Sequence, residues 1–270
     1  SQPQPRSACP ECGNPWPKDA SHALRGCGWL HGLSRNISPN NGDVEIHDGI
    51  AGRARFLRLE IKGATTEILQ LQIKERRATN SAEVVYQVLY PKERKGESVL
   101  LRKIGNRPAS GFVFVPPNTL RPIDDLKEPL LGSDLSYEDL VDNFFAWDEQ
   151  AIVGTGEVSG VNCQILQSKP GKDDRSIYGS VRSWIDARRL VPLRVEKYAN
   201  SGQLLRRIDT TRVVTDAGQQ IPANLEVSGA RPDSLTLLDG SRIRHNVTYT
   251  DRDFTVEGLK QLATPSRSSN

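Results

Sequence analysis

The chain has 270 residues, 36 Lys+Arg against 33 Asp+Glu, and no methionine, where average usage gives about six. No window of about 18 apolar residues exists, which excludes a membrane-spanning helix. A net charge of +3 spread over this length excludes the basic face of a nucleic-acid binder, and plentiful aliphatic residues balanced by charge exclude wholesale disorder.

Residues 1–18 are Pro-rich and irregular, and Asp19 is a plausible N-cap for a short helix running to Arg25. A start at Ser1-Gln2-Pro3 without a methionine fits a mature form whose export signal has been removed. Three of the four cysteines, Cys9, Cys12 and Cys27, fall in this segment. A structural disulfide within it, a zinc knuckle completed by His31, and free thiols are all compatible with the spacing. The disulfide is the reading carried forward, and no metal or cofactor is expected. Residues 34–52 are rich in Asn, Gly and Asp and read as a loop.

From Arg53 the period becomes two. Leu57, Leu59 and Ile61 share one face, and Arg58, Glu60 and Lys62 the other. Leu69, Leu71 and Ile73 repeat the pattern, followed by Val84, Tyr86, Val88 and Tyr90. Turn residues bound each run, and the meander continues through 98–104, 111–115 and 119–123. It is interrupted at Ser136–Phe144, which reads as a short amphipathic helix. Ser136 is at its cap, with Glu138 and Asp139 in the first turn. Strands resume at 151–168, 177–187, 191–199, 203–214, 221–228, 233–238 and 241–250, with Asp239-Gly240 as the last hinge. Cys163 lies in an apolar strand and reads as a buried structural cysteine. Residues 255–262 look helical, and the tail from Pro265 is Ser-rich.

So many successive strands must curl or close. The expected class is mainly β (α+β): one large curved antiparallel sheet, an unclosed barrel of about 11 strands with a few covering helices. The expected organisation is an N-terminal extension at 1–33, one domain at 34–264 and a tail at 265–270. Such a sheet with few helices over its opening encloses an apolar space suited to a lipid-sized ligand.

The stretch Leu131-Gly132-Ser133-Asp134-Leu135-Ser136-Tyr137-Glu138-Asp139-Leu140 resembles the signature of the LolA-like outer membrane lipoprotein-sorting proteins. Upstream, Tyr90-Pro91, Lys95-Gly96 and Leu100-Leu101 are similar to that family's hairpin. Residues 111–116 and 120–123 stand where it has its next two strands. Downstream, Trp184-Ile185-Asp186, Val191-Pro192-Leu193, residues 196–204 and Pro222-Ala223-Asn224-Leu225 follow in the family's order. The resemblance covers residues 50–262, and residues 1–33 match no part of it. It implies a monomeric periplasmic carrier, not an enzyme. The carrier would hold acyl chains of a lipid or lipoprotein in an apolar cavity and exchange them with a membrane-bound donor or acceptor. A regulatory module of the RseB kind, binding a membrane-anchored partner, is the alternative.

On this reading the cavity is lined by Phe56, Leu57, Leu69, Leu71, Tyr86, Phe112, Phe114, Tyr178, Trp184, Leu193 and Leu225. Each methylene of a bound chain contributes about 0.8 kcal/mol on burial, so such a site needs no polar motif. The motif residues Gly132, Ser133, Asp134, Tyr137, Glu138 and Asp139 read as a loop leading into a capped helix. An acid–base pair is the sharper reading, but no nucleophile or metal constellation accompanies it.

Overall fold

The structure is a computed structural model. It describes residues 52–262 apart from 79–80, 106, 173, 217, 230 and 232. The cysteine-bearing extension with Cys9, Cys12 and Cys27, and the tail from 265, lie outside the described residues.

Six strands open the described chain: β1 (Gly52–Lys62), β2 (Thr66–Ala78), β3 (Ser81–Tyr90), β4 (Ser98–Ile104), β5 (Ser110–Val115) and β6 (Thr119–Pro122). Seven more follow: β7 (Glu149–Val158), β8 (Val161–Lys169), β9 (Ser180–Asp186), β10 (Val191–Tyr198), β11 (Leu204–Asp216), β12 (Gln219–Ser228) and β13 (Leu235–Val247). One helix, α1 (Val256–Leu262), ends it. All thirteen strands form one sheet in the order β6-β5-β4-β3-β2-β1-β13-β12-β11-β10-β9-β8-β7. Every paired neighbour is antiparallel, and β1 is zipped to β13 from Gly52↔Val247 to Lys62↔Leu235. The described strands therefore start at the centre and walk out to one edge at β6. The chain then crosses to the opposite edge at β7 and walks back. Residues 123–148 make the crossing, and the sheet is not closed.

The alternation of the sequence sets the faces. In β1, Leu57, Leu59 and Ile61 are buried while Phe56 and Arg58 are exposed. In β3, Val84, Tyr86 and Val88 join the large core, and Val85 between them joins a separate cluster. The large core occupies the inner face. It unites residues of both halves of the sheet with Leu130, Leu135, Leu140, Phe144 and Phe145 of the crossing segment. Two smaller clusters lie on the outer face. Val85, Leu100 and Phe114 pack under Phe254 and Leu259, the latter on α1. Val158, Cys163, Val191 and Leu193 form the second, and the Cys163 thiol is free and buried there.

Three expectations need correcting. The run 151–168 is two strands, because Ser159 and Gly160 both take positive φ (51° and 79°), as a tight hairpin turn requires. The runs 233–238 and 241–250 are one strand, and Asp239-Gly240 is no hinge. Gly240 sits at a bulge against β1, and a Cβ there would come within 2.3 Å of the Arg55 guanidinium. This glycine serves a close approach rather than a turn. The amphipathic helix expected at Ser136–Phe144 is instead two single 3-10 turns, Glu138–Leu140 and Phe144–Ala146.

Candidate functional site

The crossing segment is a belt laid over the inner face. Its few turns leave most backbone groups to be satisfied by partners other than a helix ladder, and its acidic motif supplies the fastening. Asp134, Glu138 and Asp139 are all buried rather than standing on an exposed first turn.

Asp134 ties the belt to β13. Its backbone N–H donates to Thr236 Oγ1 (2.9 Å), and Thr236 donates back to Asp134 Oδ2 (2.7 Å). The Ser234 hydroxyl donates to Oδ1. Arg231 donates to the Gly132 carbonyl at 2.8 Å. Gly132 itself takes φ +90°, which favours glycine, and the Ser133 hydroxyl accepts from the Leu135 N–H at 3.2 Å.

Asp139 ties the belt to β10 and β11. Lys197 Nζ donates to Oδ1 at 2.7 Å, and Arg206 donates to Oδ2. The Tyr178 hydroxyl donates to Oδ1 (2.8 Å), and the Ser136 N–H and O–H donate to Oδ2 (2.7 and 2.8 Å). Asp139 N–H returns a bond to Ser136 Oγ, so Ser136 does cap its turn locally. Burial alone would raise the Asp139 carboxyl. Lys197 and Arg206 outweigh it and hold the group well below the usual carboxylate range. Burial drives the Tyr178 phenol well up, so it stays a neutral donor. Lys197 lies 4.7 Å from the Tyr178 ring centroid and 5.1 Å from that of Phe144, completing a cation–π sandwich.

Glu138 fastens a third point, accepting from the Ser176 hydroxyl and from the Ile177 N–H (2.9 Å). Its Oε2 and the Oδ2 of Asp142 are enclosed without a hydrogen-bond partner. Burial pushes the Asp142 carboxyl up to about 6, with Lys197 opposing and Glu138 adding to the shift. Tyr137 is buried in the core.

Beneath the belt lies a void of about 10 Å³, room for one water at most. The belt contributes Leu130, Leu135 and Leu140. The sheet contributes Arg55, Leu57, Ile73, Tyr86, Ala223, Leu225 and Leu238. In this state the inner face is filled by the belt's own leucines.

The structure divides the eleven apolar residues singled out in the sequence. Leu57, Leu69, Leu71, Tyr86, Tyr178 and Leu225 come together in the inner core. Phe56 is 37% exposed on the other face. Phe112 is opposite Leu100 of the outer cluster, and Phe114 is in that cluster. Trp184 and Leu193 belong to the second outer cluster. Parity explains the split, since Phe56 and Leu57 are adjacent in a strand and cannot share a face. The sequence reading did not place Lys197, Arg206 or Arg55 on the inner face, where all three are buried. Lys197 stands between Glu196 and Tyr198, and Arg206 beside Arg207, where each reads as part of a solvated strand face. Strict alternation was the available signal, because Lys197 and Arg206 share parity with the apolar Val195 and Ile208.

A family model described as "Uncharacterized protein" matches residues 80–261. No curated protein matches the sequence. Among solved structures, a DUF1329 family protein from Desulfovibrio piger is similar at TM-score 0.71 and 19% identity, over 78% of this chain and 92% of that one. A putative outer membrane lipoprotein-sorting protein domain from Vibrio parahaemolyticus gives TM-score 0.70 and 17% identity, over 79% and 93%. A LolA superfamily protein from Nitrosomonas europaea gives 0.62 and 17%, over 79% and 94%.

Proposed function

This chain belongs to the family of uncharacterized proteins whose model spans residues 80–261 and has a LolA-like fold, and from that premise we propose that it binds acyl chains non-covalently beneath the belt, as a periplasmic lipid or lipoprotein carrier. The observation that supports this reading is the construction of the inner cover. An open sheet with an apolar inner face is closed by a segment with almost no regular structure. That segment is fixed at discrete polar points, Asp134, Glu138 and Asp139, rather than by a continuous ladder. A cover held at points can lift as a unit. When it does, Leu130, Leu135 and Leu140 leave the groove they fill, and an acyl chain takes their place at little net change in buried apolar area.

The closed state is thus the empty carrier, and a lipid shifts the population toward the lifted belt by its preference for the exposed groove. Delivery follows when a membrane-bound acceptor competes for the chain. On this reading the motif carboxylates are structural and the protein is not an enzyme. Asp139 is held by two cations and Asp134 by two hydroxyls, and neither carboxylate lines the void beneath the belt. The fold relatives named for lipoprotein sorting agree with this choice of ligand.

The test is titration of delipidated protein with a fluorescent fatty acid. Saturable uptake, displaced by phospholipid or a lipopeptide, is the expected result. Absence of uptake by both wild-type protein and a variant with a loosened belt would sink the proposal.

A further inference from the structure

Two turns of the sheet carry large aliphatic side chains that the described fold does not use. The first is the β9–β10 turn, Ala187-Arg188-Arg189-Leu190. The Leu190 N–H closes it on the Asp186 carbonyl at 2.8 Å, and Leu190 takes φ 53°. Hairpin turns give that left-handed position to glycine, and in other turns of this sheet Gly105, Gly160, Gly202 and Gly218 fill it. A leucine there strains the backbone. Leu190 is also 45% exposed and belongs to none of the apolar clusters, so no packing among the described residues offsets the strain. Arg188 and Arg189 beside it are exposed. The acid of the turn, Asp186, is buried. It accepts from the Arg188 and Arg189 N–H groups (2.9 and 3.3 Å) and from Arg189 Nε.

The second is the β4–β5 turn. Ile104 is 57% exposed and lies outside the same clusters, Arg107 is exposed beside it, and residues 102–109 contain no acid. Register puts both turns at one end of the sheet. Ile104 is opposite Ser81, which is opposite Ala78 at the end of β2. Arg76 of β2 is opposite Gly52 at the start of β1, and Gly52 is opposite Val247 at the end of β13. In the other half, β12 begins at that end opposite the last residue of β11, and β10 begins there at Val191, opposite Asp186. At the other end, by contrast, the β3–β4 turn mixes Glu93 and Glu97 with its basic residues.

We propose that this end of the sheet docks on the surface of an anionic lipid bilayer, with Leu190 and Ile104 entering the head-group layer and Arg107, Arg188 and Arg189 meeting the phosphates. Aliphatic tips flanked by arginines suit such an interface, where buried apolar area and attraction to anionic lipids add. Two aliphatic side chains and three arginines make a reversible contact rather than an anchor. None of these residues lines the void under the belt, so the docking surface is separate from the acyl-chain reading and does not depend on it.

The experiment is cosedimentation of the full chain with vesicles of phosphatidylglycerol and phosphatidylethanolamine, and with vesicles of phosphatidylcholine alone. Binding to the anionic vesicles should be about tenfold or more tighter and should weaken as salt is raised. Leu190→Asn removes the apolar side chain while tolerating the left-handed backbone. It should weaken vesicle binding about fivefold and raise the unfolding temperature. Arg107→Gln and Arg188→Gln should each weaken binding to the anionic vesicles about fivefold. Ile104→Ser should weaken it as Leu190→Asn does. All four variants should take up the fluorescent fatty acid as the wild type does, so loss of vesicle binding alone leaves the acyl-chain reading standing. Equal affinity for the two kinds of vesicle, or binding to neither, would overturn the proposal. A Leu190→Asn variant less stable than the wild type would also overturn it, because the leucine would then serve the fold. So would a wild-type dimer that Leu190→Asn dissolves, which would give the tip to a second copy of this chain.

Discussion

The two covers of this sheet are built from opposite materials. The outer cover, α1 with the turn before it, puts Phe254 and Leu259 onto Val85, Leu100 and Phe114 in a small apolar cluster. Its charged contacts, such as Arg76 with Asp251, sit at the rim, where Asp251 is 93% exposed. The inner cover, the belt, also buries leucines and aromatics, but its fastening is a set of charges with no access to water. Lys197, Arg206 and Asp139 are nearly fully buried. Burying an ion pair gains little over burying leucines, yet breaking one partner of it is expensive. The outer cover is thus held by area and comes off gradually. The inner one is held by a lock that is either made or broken, as the proposed lifting of the belt requires.

Removing the lock should give the largest effect. Asp139→Ala leaves Lys197 and Arg206 buried without their counter-charge and should cost about 3–5 kcal/mol in urea unfolding. Where the variant still folds, acyl-probe uptake should become faster, because the belt is released. A loss below about 1 kcal/mol would put the Asp139 fastening on a par with a surface pair and erase the contrast. On the other cover, Phe254→Ala should cost about 3 kcal/mol by leaving a cavity against Tyr249, whose ring lies 5.5 Å away at 86°. It should leave probe uptake unchanged. An effect of Phe254→Ala on uptake would mean that the two covers are not separate.

Acid should distinguish them as well. The Asp142 carboxyl is pushed up to about 6 by burial, from the ordinary aspartate value of about 4. The folded state therefore binds a proton more readily than the unfolded state between these values. Stability contributed by this site falls as pH rises from about 4 to 6, and the cost is fully present above that. Asp139 works in the opposite sense. Burial raises it, but Lys197 and Arg206 prevail and lower it. Its stabilisation is present above the unfolded value and is lost only as pH falls through the much lower folded one. Asp142→Asn should remove the decline between pH 4 and 6 and raise stability at neutral pH by about 1–2 kcal/mol. Unfolding free energies measured at several pH values check this, and an unchanged slope in the variant would exclude Asp142 as its source.

Much of the sheet was legible because half-buried strands write their faces into the sequence with period two. Leu57–Ile61 and Leu69–Ile73 were read on the correct face for that reason. The hairpin at Ser159-Gly160 was passed over because an apolar run on both sides of a two-residue turn looks continuous. Gly240 was misread because a glycine in a strand signals close approach as readily as a turn. The motif at 132–139 was found, but its role was not. A carboxylate three residues past a serine cap looks like a dipole partner when only local spacing is available. The cations that bury it come from β10 and β11, 58 and 67 positions away, and no local pattern joins them. The belt itself was read as a helix because Leu135, Leu140, Val141 and Phe144 fit a helical stripe. Long-range bonds to Thr236, Lys197 and Ile177 compete with the helix ladder and win.

The smallest expected effect is the most direct control on the lock. Asp251 and Asp139 each accept from an arginine, but Asp251 does so at the surface, 2.7 Å from Arg76 Nη1. Arg76 also donates to Glu83 through Nε at 2.6 Å, and its guanidinium lies 4.7 Å from the Phe254 ring centroid, so it remains partnered when Asp251 is lost. Asp251→Ala should therefore change stability by no more than about 0.5 kcal/mol, and raising the salt concentration should shrink even that. The Asp139→Ala cost should be nearly indifferent to salt, because ions do not reach the buried pair. Measuring both variants at low and high salt turns the comparison into a single number, the difference of two salt slopes. Equal slopes would place the belt's fastening in contact with solvent and remove the physical basis for a lock that is either made or broken.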